Sequence, residues 1–326
     1  MKKLFLSLIA ITLTAVCYAQ STQVATLNHE GWISTFYGAD ALIEANEAAE
    51  NGDVITLSSG LFTATTLNKA VTIRGAGMEM ESATGIAPTI INQDIEASVW
   101  YYGDTHSRLT IEGVRFNGTL TTTQTVPSPT FIKCKFKEIT TTDGNYHHLT
   151  NANFIHCIIT DNIYISRESS ASFHNCYVNY VDGESNKVCN FENCIIGTMI
   201  GDVPSSITNS ILFGNDIIGV CAAYNCVAFN DGIIAHCQGT KNVNAYYYDT
   251  VFKEFTGTYD DNISLELTDN AVWEYLGADG TQVGIYGGTF PFDPVPSNPR
   301  IIRCDVDKRS NADGMLNVTV EVKKAE

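Results

Sequence analysis

The chain has 326 residues, 36 of them acidic and 19 basic, and its formal net charge at pH 7 is −17. An excess of negative charge repels polyanions, which argues against nucleic acid as a partner and disfavours anionic polysaccharides as ligands. No stretch beyond the amino terminus is apolar over the length needed to cross a bilayer, so no transmembrane segment is predicted.

The amino terminus has the pattern of a secretory signal peptide. Two lysines precede an apolar run over residues 4–16, which is too short to span a bilayer, and cleavage is expected after Ala19. Acylation of Cys17 is a weaker alternative, because a valine precedes it where lipoprotein signals have Gly or Ala. We therefore predict a signal peptide over residues 1–19 and a protein that is secreted, periplasmic or on the outer cell surface. Loss of the two lysines takes the net charge to −19.

A strand and a helix are predicted next. The strand covers Val24–Leu27, and the segment Ala41–Ala49 after Asp40 is typical of a helix with a side-chain N-cap. Leu42 and Ala45 would lie on its apolar face. We expect this helix to cover the open end of the first coil of the fold, because an uncovered end exposes unpaired strand edges.

One short pattern dominates the rest of the chain: an apolar residue, any residue, a polar residue that tolerates a turn, a small residue, any residue, and an apolar residue. Six copies span residues 131–136, 154–159, 173–178, 191–196, 207–212 and 223–228, and fainter ones span 73–78, 111–116 and 247–252. From residue 114 to residue 250 the fourth positions lie 16 to 24 residues apart. Repeats of this length are typical of solenoids.

The pattern requires a corner inside each copy. Side chains three residues apart on a straight strand point to opposite faces, so the first and fourth residues can both be buried only if the chain bends between them. The third position carries residue types that tolerate left-handed backbone: Gly75, Gly113, Asn175, Asn193, Asn209 and Asn225. We therefore predict an all-β fold, a single-stranded right-handed parallel β-helix, with a ladder of small residues inside: Cys134, Cys157, Cys176, Cys194, Ser210 and Cys226.

Three further motifs resemble those of a known superfamily. The segments 52–60 and 71–77 are similar to the opening of pectin-lyase-like right-handed β-helix proteins, and residues 280–288 are similar to the exit segment of secreted β-helix proteins of Bacteroidetes. The resemblance covers about residues 24–290 and implies the fold, since these motifs mark no chemistry. The Gly-His-Gly and Arg-x-Lys tripeptides of β-helix hydrolases do not occur in this sequence.

The cysteines are interpreted as core residues. Nine remain after residue 19, an odd number, and residues stacked on adjacent coils lie slightly too far apart for the Cβ separation that a disulfide prefers. A buried free thiol behaves as a small hydrophobic group. No closed Cys/His spacing indicates a metal site.

Three residues are candidates for catalysis. Arg115 and Lys135 point outward on adjacent coils, and a lyase of this fold would use a lysine or arginine as its base beside carboxylate-bound calcium. His174 is a further candidate, because imidazole is a common proton acceptor. The alternative for all three is a solvated or structural role.

Ligand binding has its own candidates. Asp182, Glu184 and Asp202 follow successive coils, where carboxylates could share a calcium ion, although the spacing of a dedicated calcium loop is missing. Trp100, Tyr101 and Tyr102 are candidates for stacking against sugars. No cofactor other than calcium is indicated.

An apolar stripe is predicted on a face that the alternation points outward. It continues the column of Arg115 and Lys135 and consists of Ile158, Tyr177, Ile195, Ile211, Val227 and Val251. Monomers rarely leave such patches bare. The β-helix is assigned to residues 20–290, and residues 291–326 are predicted to form a proline-rich linker and a β-hairpin. We expect this carboxy-terminal segment, or a second copy of the chain, to cover the stripe.

The predicted function is that of a secreted or cell-surface protein without catalytic activity that binds glycan or another surface protein. The alternative is a polysaccharide lyase or glycoside hydrolase acting on an extracellular polysaccharide. A third interpretation is a structural filament or adhesin module. Separation of the acidic from the basic residues along the outward faces favours binding over catalysis.

Overall fold

The computed structural model describes residues 23–98, 108–141, 149–166, 169–183, 188–200, 205–214, 221–230, 233, 239–297, 300–306 and 318–323. Its strands form a parallel β-solenoid of about eight turns, as the repeat predicts. Trp100, Tyr101, Tyr102, Glu184 and Asp202 lie outside the described residues.

The strands are short and follow one another closely. Those of the first half are β1 (Val24–His29), β2 (Trp32–Tyr37), β3 (Val54–Leu57), β4 (Gly60–Phe62), β5 (Thr66–Leu67), β6 (Thr72–Arg74), β7 (Thr89–Ile91), β8 (Ile95–Ala97), β9 (Thr110–Glu112), β10 (Val114–Thr122), β11 (Val126–Pro127), β12 (Thr130–Ile132), β13 (Lys135–Thr141) and β14 (Leu149–Thr150). Those of the second half are β15 (Ala152–Ile155), β16 (Ile158–Ile165), β17 (Ser170–His174), β18 (Tyr177–Gly183), β19 (Val188–Glu192), β20 (Ile195–Met199), β21 (Ser205–Thr208), β22 (Ile211–Leu212), β23 (Cys221–Tyr224), β24 (Val227–Ala228), β25 (Val243–Asn244), β26 (Arg300–Val306) and β27 (Val318–Lys323). The helices are α1 (Ala41–Ala48), α2 (Tyr248–Val251) and α3 (Ala271–Glu274).

Two long sheets meet at the corner of each coil. Sheet A has the order β2-β1-β3-β6-β9-β12-β15-β17-β19-β21-β23, and sheet B has the order β25-β24-β22-β20-β18-β16-β13-β10-β7-β4 with β8 and β5 beside β10. All pairings from β3 onward in these sheets are parallel, while β1 pairs antiparallel with β2 and β3. Each copy of the sequence pattern therefore ends one strand of sheet A and begins one of sheet B.

The corner residues adopt the backbone that the pattern predicts. Asn175, Asn193, Asn209 and Asn225 have φ between 51° and 54°, and Gly113 has φ of 68°. Lys133 and His156 occupy the same position with φ of 51° and 53°. The prediction is wrong for Gly75, which has no left-handed φ; there a Cβ atom would come within 2.2 Å of the Gly113 carbonyl oxygen, so close approach explains the glycine.

The interior contains the predicted ladder of small residues and, beside it, a ladder of phenylalanine rings. Cys134, Cys157, Cys176, Cys194 and Cys226 are buried and free of disulfides, and Ser210 takes the same position in its coil. Each sulfur lies near main-chain carbonyl oxygens, as the Sγ of Cys134 does at 3.4 Å from Ile111 O. Four phenylalanine rings stack beside them at centroid distances of 5.0, 4.8 and 4.6 Å: Phe131, Phe154, Phe173 and Phe191.

Helix α1 lies at the amino-terminal end of the solenoid, where it packs on β1, β2 and β3. Its buried residues include Leu42 and Ala45, as the periodicity predicts. Asp40 stands at the N-cap position, but its side chain makes no capping hydrogen bond, so that detail of the prediction is wrong.

The predicted apolar stripe forms one column of sheet B, and it is buried. The strand registers pair Arg115, Lys135, Ile158, Tyr177, Ile195, Ile211 and Val227 in that order. The next residue in the column is Val243. Val251 is not part of the column: it lies in α2, so the expected repeat at residues 247–252 is wrong, because a helical turn replaces the corner there.

A second apolar cluster covers this column. Residues 245–276, which we call the cover, contribute Phe255, Leu265 and Leu267 to it, and Phe255 and Tyr259 lie at 6.1 and 4.9 Å from the ring of Tyr177. The stripe is therefore enclosed by the segment directly after the last coil. Among the described residues, the cover encloses the stripe, and not residues 300–326 or a second copy of the chain as expected.

Residues 277–297, which we call the strap, run back along the corner residues towards the amino-terminal coils. Asn209 Oδ1 accepts a hydrogen bond from Ala278 N at 3.0 Å, and Asn175 Nδ2 donates to Ile285 O and Gly287 O at 2.8 Å. The strap ends against an early coil, where Ser297 N donates to Glu112 Oε1 at 2.6 Å. The corner side chains thus hold the strap as well as turning the chain.

The carboxy-terminal strands β26 and β27 pair antiparallel, with Arg300 opposite Lys323 and Val306 opposite Val318. This agrees with the predicted hairpin. Within the described residues, no helix combines the length and apolar character that crossing a membrane demands.

Candidate ligand-binding cleft

The cations predicted as catalytic candidates lie beneath the cover. Lys135 is only 3% exposed, and its Nζ contacts Asp261 Oδ1, Glu79 Oε1 at 3.0 Å and the hydroxyl of Tyr259 at 3.1 Å. Arg115 donates to the other oxygen of Asp261 at 2.8 Å. The two cations are stacked as predicted, but they meet carboxylates of their own chain.

The charges of this cluster stabilise one another. Burial opposes ionisation of Asp261, but hydrogen bonds from Lys135 and Arg115 outweigh it and lower the pKa of this carboxyl. The phenol of Tyr259 has a raised pKa because of burial and the nearby Glu79 carboxylate, so it stays a neutral donor to Glu79 Oε1 at 2.9 Å. With Asp261, Glu79 and Tyr259 as partners, Lys135 Nζ is already engaged and is not free to act as the base of a lyase.

Of the three calcium candidates, only Asp182 lies within the described residues. Asp182 lies half-buried in β18, opposite Tyr164 of β16. In the part of the chain that the structure describes, no three His, Cys, Asp or Glu side chains are grouped closely enough to hold a metal ion.

His174 leads to a different site. It projects from the end of β17, and its Nδ1 lies 3.2 Å from Glu192 Oε2 on the next strand of sheet A. The pair borders a cleft of about 450 Å³ between the outer face of sheet A and the strap. The lining residues are Ile132, Lys133, Ile155, His156, His174, Asn175, Glu192, Asn193, Thr289 and Phe290.

Apolar groups from two directions meet in this cleft. Ile132 and Ile155 are adjacent on the outer face of sheet A, since β12 and β15 pair in register. Phe290 of the strap is 76% exposed. An exposed ring beside an apolar floor resembles the lining of small-molecule sites, where a few polar groups then set orientation.

Asn193 supplies an unusual polar group. Asn193 is one of the corner residues and is only 5% exposed. Its Oδ1 is buried without a hydrogen-bond partner among the described residues. Gly288 of the strap lies so close that a Cβ atom there would come within 2.4 Å of Asn193 Nδ2. A buried carbonyl oxygen without a donor is costly. Rotation of this carboxamide towards the cleft would allow a ligand hydroxyl to supply the donor.

The remaining charges of the cleft are paired within the protein. Lys133 Nζ lies 2.8 Å from Asp293 Oδ2, and His174 pairs with Glu192. His156 is held on both sides: Nε2 donates to Phe290 O at 3.0 Å, and Nδ1 accepts from Asp293 N at 3.4 Å. Burial lowers the pKa of His156, which fits this neutral ring. Lys133, the only lysine or arginine among the lining residues, is therefore already engaged by a carboxylate of the strap.

The sequence pattern predicted His174 as a candidate site residue but did not predict that Ile132, Ile155, Asn193 and Phe290 would line a cleft with it. Ile132 and Ile155 stand at positions that the strand alternation points outward, so two apolar residues on a solvated face were a detectable signal. The sequence contains no signal that Phe290 and Asn193 belong to a cleft, because their proximity depends on the path of the strap.

No family model, curated protein or solved structure matches this chain. The residues of the cleft are therefore the basis on which a function can be assigned.

Proposed function

We propose that the protein is a secreted or cell-surface β-solenoid without catalytic activity that binds an uncharged glycan in the cleft between sheet A and the strap. The observation that carries the proposal is the combination of Phe290, the apolar floor of Ile132 and Ile155, and the side-chain carbonyl oxygen of Asn193, which has no hydrogen-bond partner among the described residues. The resemblance to secreted pectin-lyase-like proteins of Bacteroidetes and the signal-peptide pattern support an extracellular setting.

The chemistry of the lining suits a sugar. The C–H face of a pyranose ring is apolar and can pack on Ile132, Ile155 or Phe290. Its hydroxyls would meet the carboxamide of Asn193 and the exposed side chains of His174 and Glu192. An anionic sugar is disfavoured by the net charge of −17 and by the pairing of Lys133 with Asp293.

The residues that line the cleft support catalysis less well than they support binding. Glycoside hydrolysis ordinarily uses two carboxyl groups across the scissile bond, whereas Glu192 is the sole carboxylate among the lining residues. The lyase alternative needs a lysine or arginine side chain that is free to accept a proton, and Lys135 is held by Glu79 and Asp261. Binding without turnover is therefore the function that the cleft supports best.

A glycan array probed with the full chain, followed by calorimetry on the neutral oligosaccharides that bind, tests the proposal. Phe290→Ala should weaken binding about tenfold or more, because the ring would be the main apolar contact. Its main-chain bond to His156 does not depend on the side chain, so the strap should keep its path.

Trp273→Ala is the matched control. Trp273 is 79% exposed on α3 and does not line the cleft, so its loss should leave affinity unchanged. The proposal is overturned if no neutral glycan binds, if Phe290→Ala and Trp273→Ala have the same effect, or if pure protein cleaves the glycan that it binds.

A further inference from the structure

A second depression lies on the outer face of sheet A. Its volume is about 520 Å³, and it is lined by Arg108, Ser128, Thr130, Asn151, Asn153, Ser170, Ala171, Ser172, Val188 and Asn190. Most of these side chains carry hydroxyl or amide groups, and the lining includes no carboxylate. A surface depression lined without a single carboxylate is unusual in a chain with 36 acidic residues.

The depression and the cleft share the same four strands. Thr130, Asn153, Ser172 and Asn190 form one row across β12, β15, β17 and β19, according to the strand registers. Ile132, Ile155, His174 and Glu192 form the next row on the same strands. Side chains two residues apart on a strand share a face and lie about 7 Å from one another. The two hollows are thus neighbouring parts of one surface.

The two parts differ in chemistry. The cleft beside the strap has the apolar floor and Phe290. The polar depression has hydroxyl and amide groups, several of which are held by hydrogen bonds within the protein. Ser170 Oγ accepts from Asn151 N at 2.7 Å and donates to Asn151 Oδ1 at 3.1 Å. A ligand that crosses from one to the other needs an apolar face at one end and many hydroxyls along its length.

We infer that the ligand is a linear uncharged oligosaccharide, several sugar units long, that runs along the strand direction of sheet A from the strap cleft into the polar depression. This inference rests on the proposed function and adds a second subsite to it. The first subsite would take one or two units against Phe290, and the second would bind the following units through Asn153, Ser172 and Asn190. A membrane lipid does not fit, because the row of Thr130, Asn153, Ser172 and Asn190 offers it no apolar surface. A charged peptide would find only Arg108 as a charged partner among the lining residues.

Calorimetry with oligosaccharides of two and six units, in the glucose, mannose and N-acetylglucosamine series, tests the inference on the full chain. For the series that binds, the hexasaccharide should bind about tenfold more tightly than the disaccharide. Ser172→Trp should fill the polar depression and bring the hexasaccharide to the affinity of the disaccharide. Tryptophan is well accepted on an exposed strand face, so the fold should persist.

Ser206→Trp is the matched control, since Ser206 is exposed, follows Asn190 in the same row, and lines neither hollow. It should leave both affinities unchanged. Equal affinity for both lengths, or equal effects of the two tryptophans, would overturn the second subsite while the Phe290-dependent binding of the disaccharide keeps the proposed function intact. Failure of every oligosaccharide to bind would overturn both.

Discussion

The imidazole of His156 holds the main chain of Phe290, with 3.0 Å between Nε2 and the carbonyl oxygen. His156 is a corner residue of the solenoid, and Phe290 is the exposed aromatic residue of the cleft. The same ring accepts a hydrogen bond from Asp293 N, so it fixes the strap on both sides of Pro291. The element that shapes the coil therefore also shapes the ligand site.

This relationship predicts a dependence on pH. Burial lowers the pKa of His156 from its ordinary value of 6.5, so the unfolded chain binds a proton at a higher pH than the folded chain. The stabilising contribution of the neutral ring is complete above about pH 6.5 and is lost as the pH falls towards the folded-state pKa. Unfolding by urea at pH 7.5 and 5.5 measures the loss.

His156→Asn is the variant to compare. Asparagine occupies four other corners with nearly the same φ, so the backbone should accept it. We expect a smaller difference in unfolding free energy between the two pH values in this variant than in the natural chain. His29 acts in the opposite direction, since its hydrogen bond to Asp53 raises its pKa, but it is present in both proteins and cancels in the comparison.

The cysteine ladder gives a second prediction. Cys194 is buried, so Cys194→Asp should destabilise the fold by several kcal/mol because it buries an unpaired charge. Cys194→Ser should cost about 1 kcal/mol or less, since Ser210 already fills this position one coil later and donates to Thr208 O at 2.7 Å. Chemical denaturation compares the two; similar losses for both would argue against a ladder buried at this point.

The ion cluster gives a third prediction. Lys135→Met keeps the apolar stem but leaves Glu79 and Asp261 facing each other without the ammonium between them, so the unfolding free energy should fall by about 3 kcal/mol. Lys253→Met is the control, because Lys253 also meets two carboxylates, at 3.0 and 3.7 Å, but on the surface. Its loss should have little effect. A stable Lys135→Met protein would show that the cover does not depend on this cluster.

The cover gives a fourth prediction. A chain shortened to end at Ser297 should keep the column of Ile158 and Tyr177 enclosed, because the cover and the strap remain. A chain ending at Asn244 should expose it and bind a hydrophobic dye or associate. Dye fluorescence and sedimentation distinguish the two, and dye binding by the chain that ends at Ser297 would instead assign the enclosing role to residues beyond the strap.

Much of the solenoid was predictable from local pattern. The corner at Asn175 and its equivalents, the buried cysteines, and the outward column through Lys135 and Tyr177 all follow from one repeat. In parallel coils each position of the repeat stacks on the same position of the next coil. A correct interpretation of one copy therefore predicts the positions of the equivalent residues in all copies. The pattern predicted a further copy at Val251 wrongly, because the repeat has ended there and a helical turn resembles it only in composition.

The tertiary structure alone decided what lies on that column and where the ligand cleft forms. Arg115 and Asp261 are 146 residues apart in the chain, and His156 and Phe290 are 134 apart. The cover and the strap have no repeat of their own, so their positions come from burying the apolar column and from satisfying the corner side chains with main-chain groups. The sequence by itself determined the coil and its ladders, because those depend on local periodicity. The folded chain determined the cleft, because it is made from two segments that only long-range packing brings together.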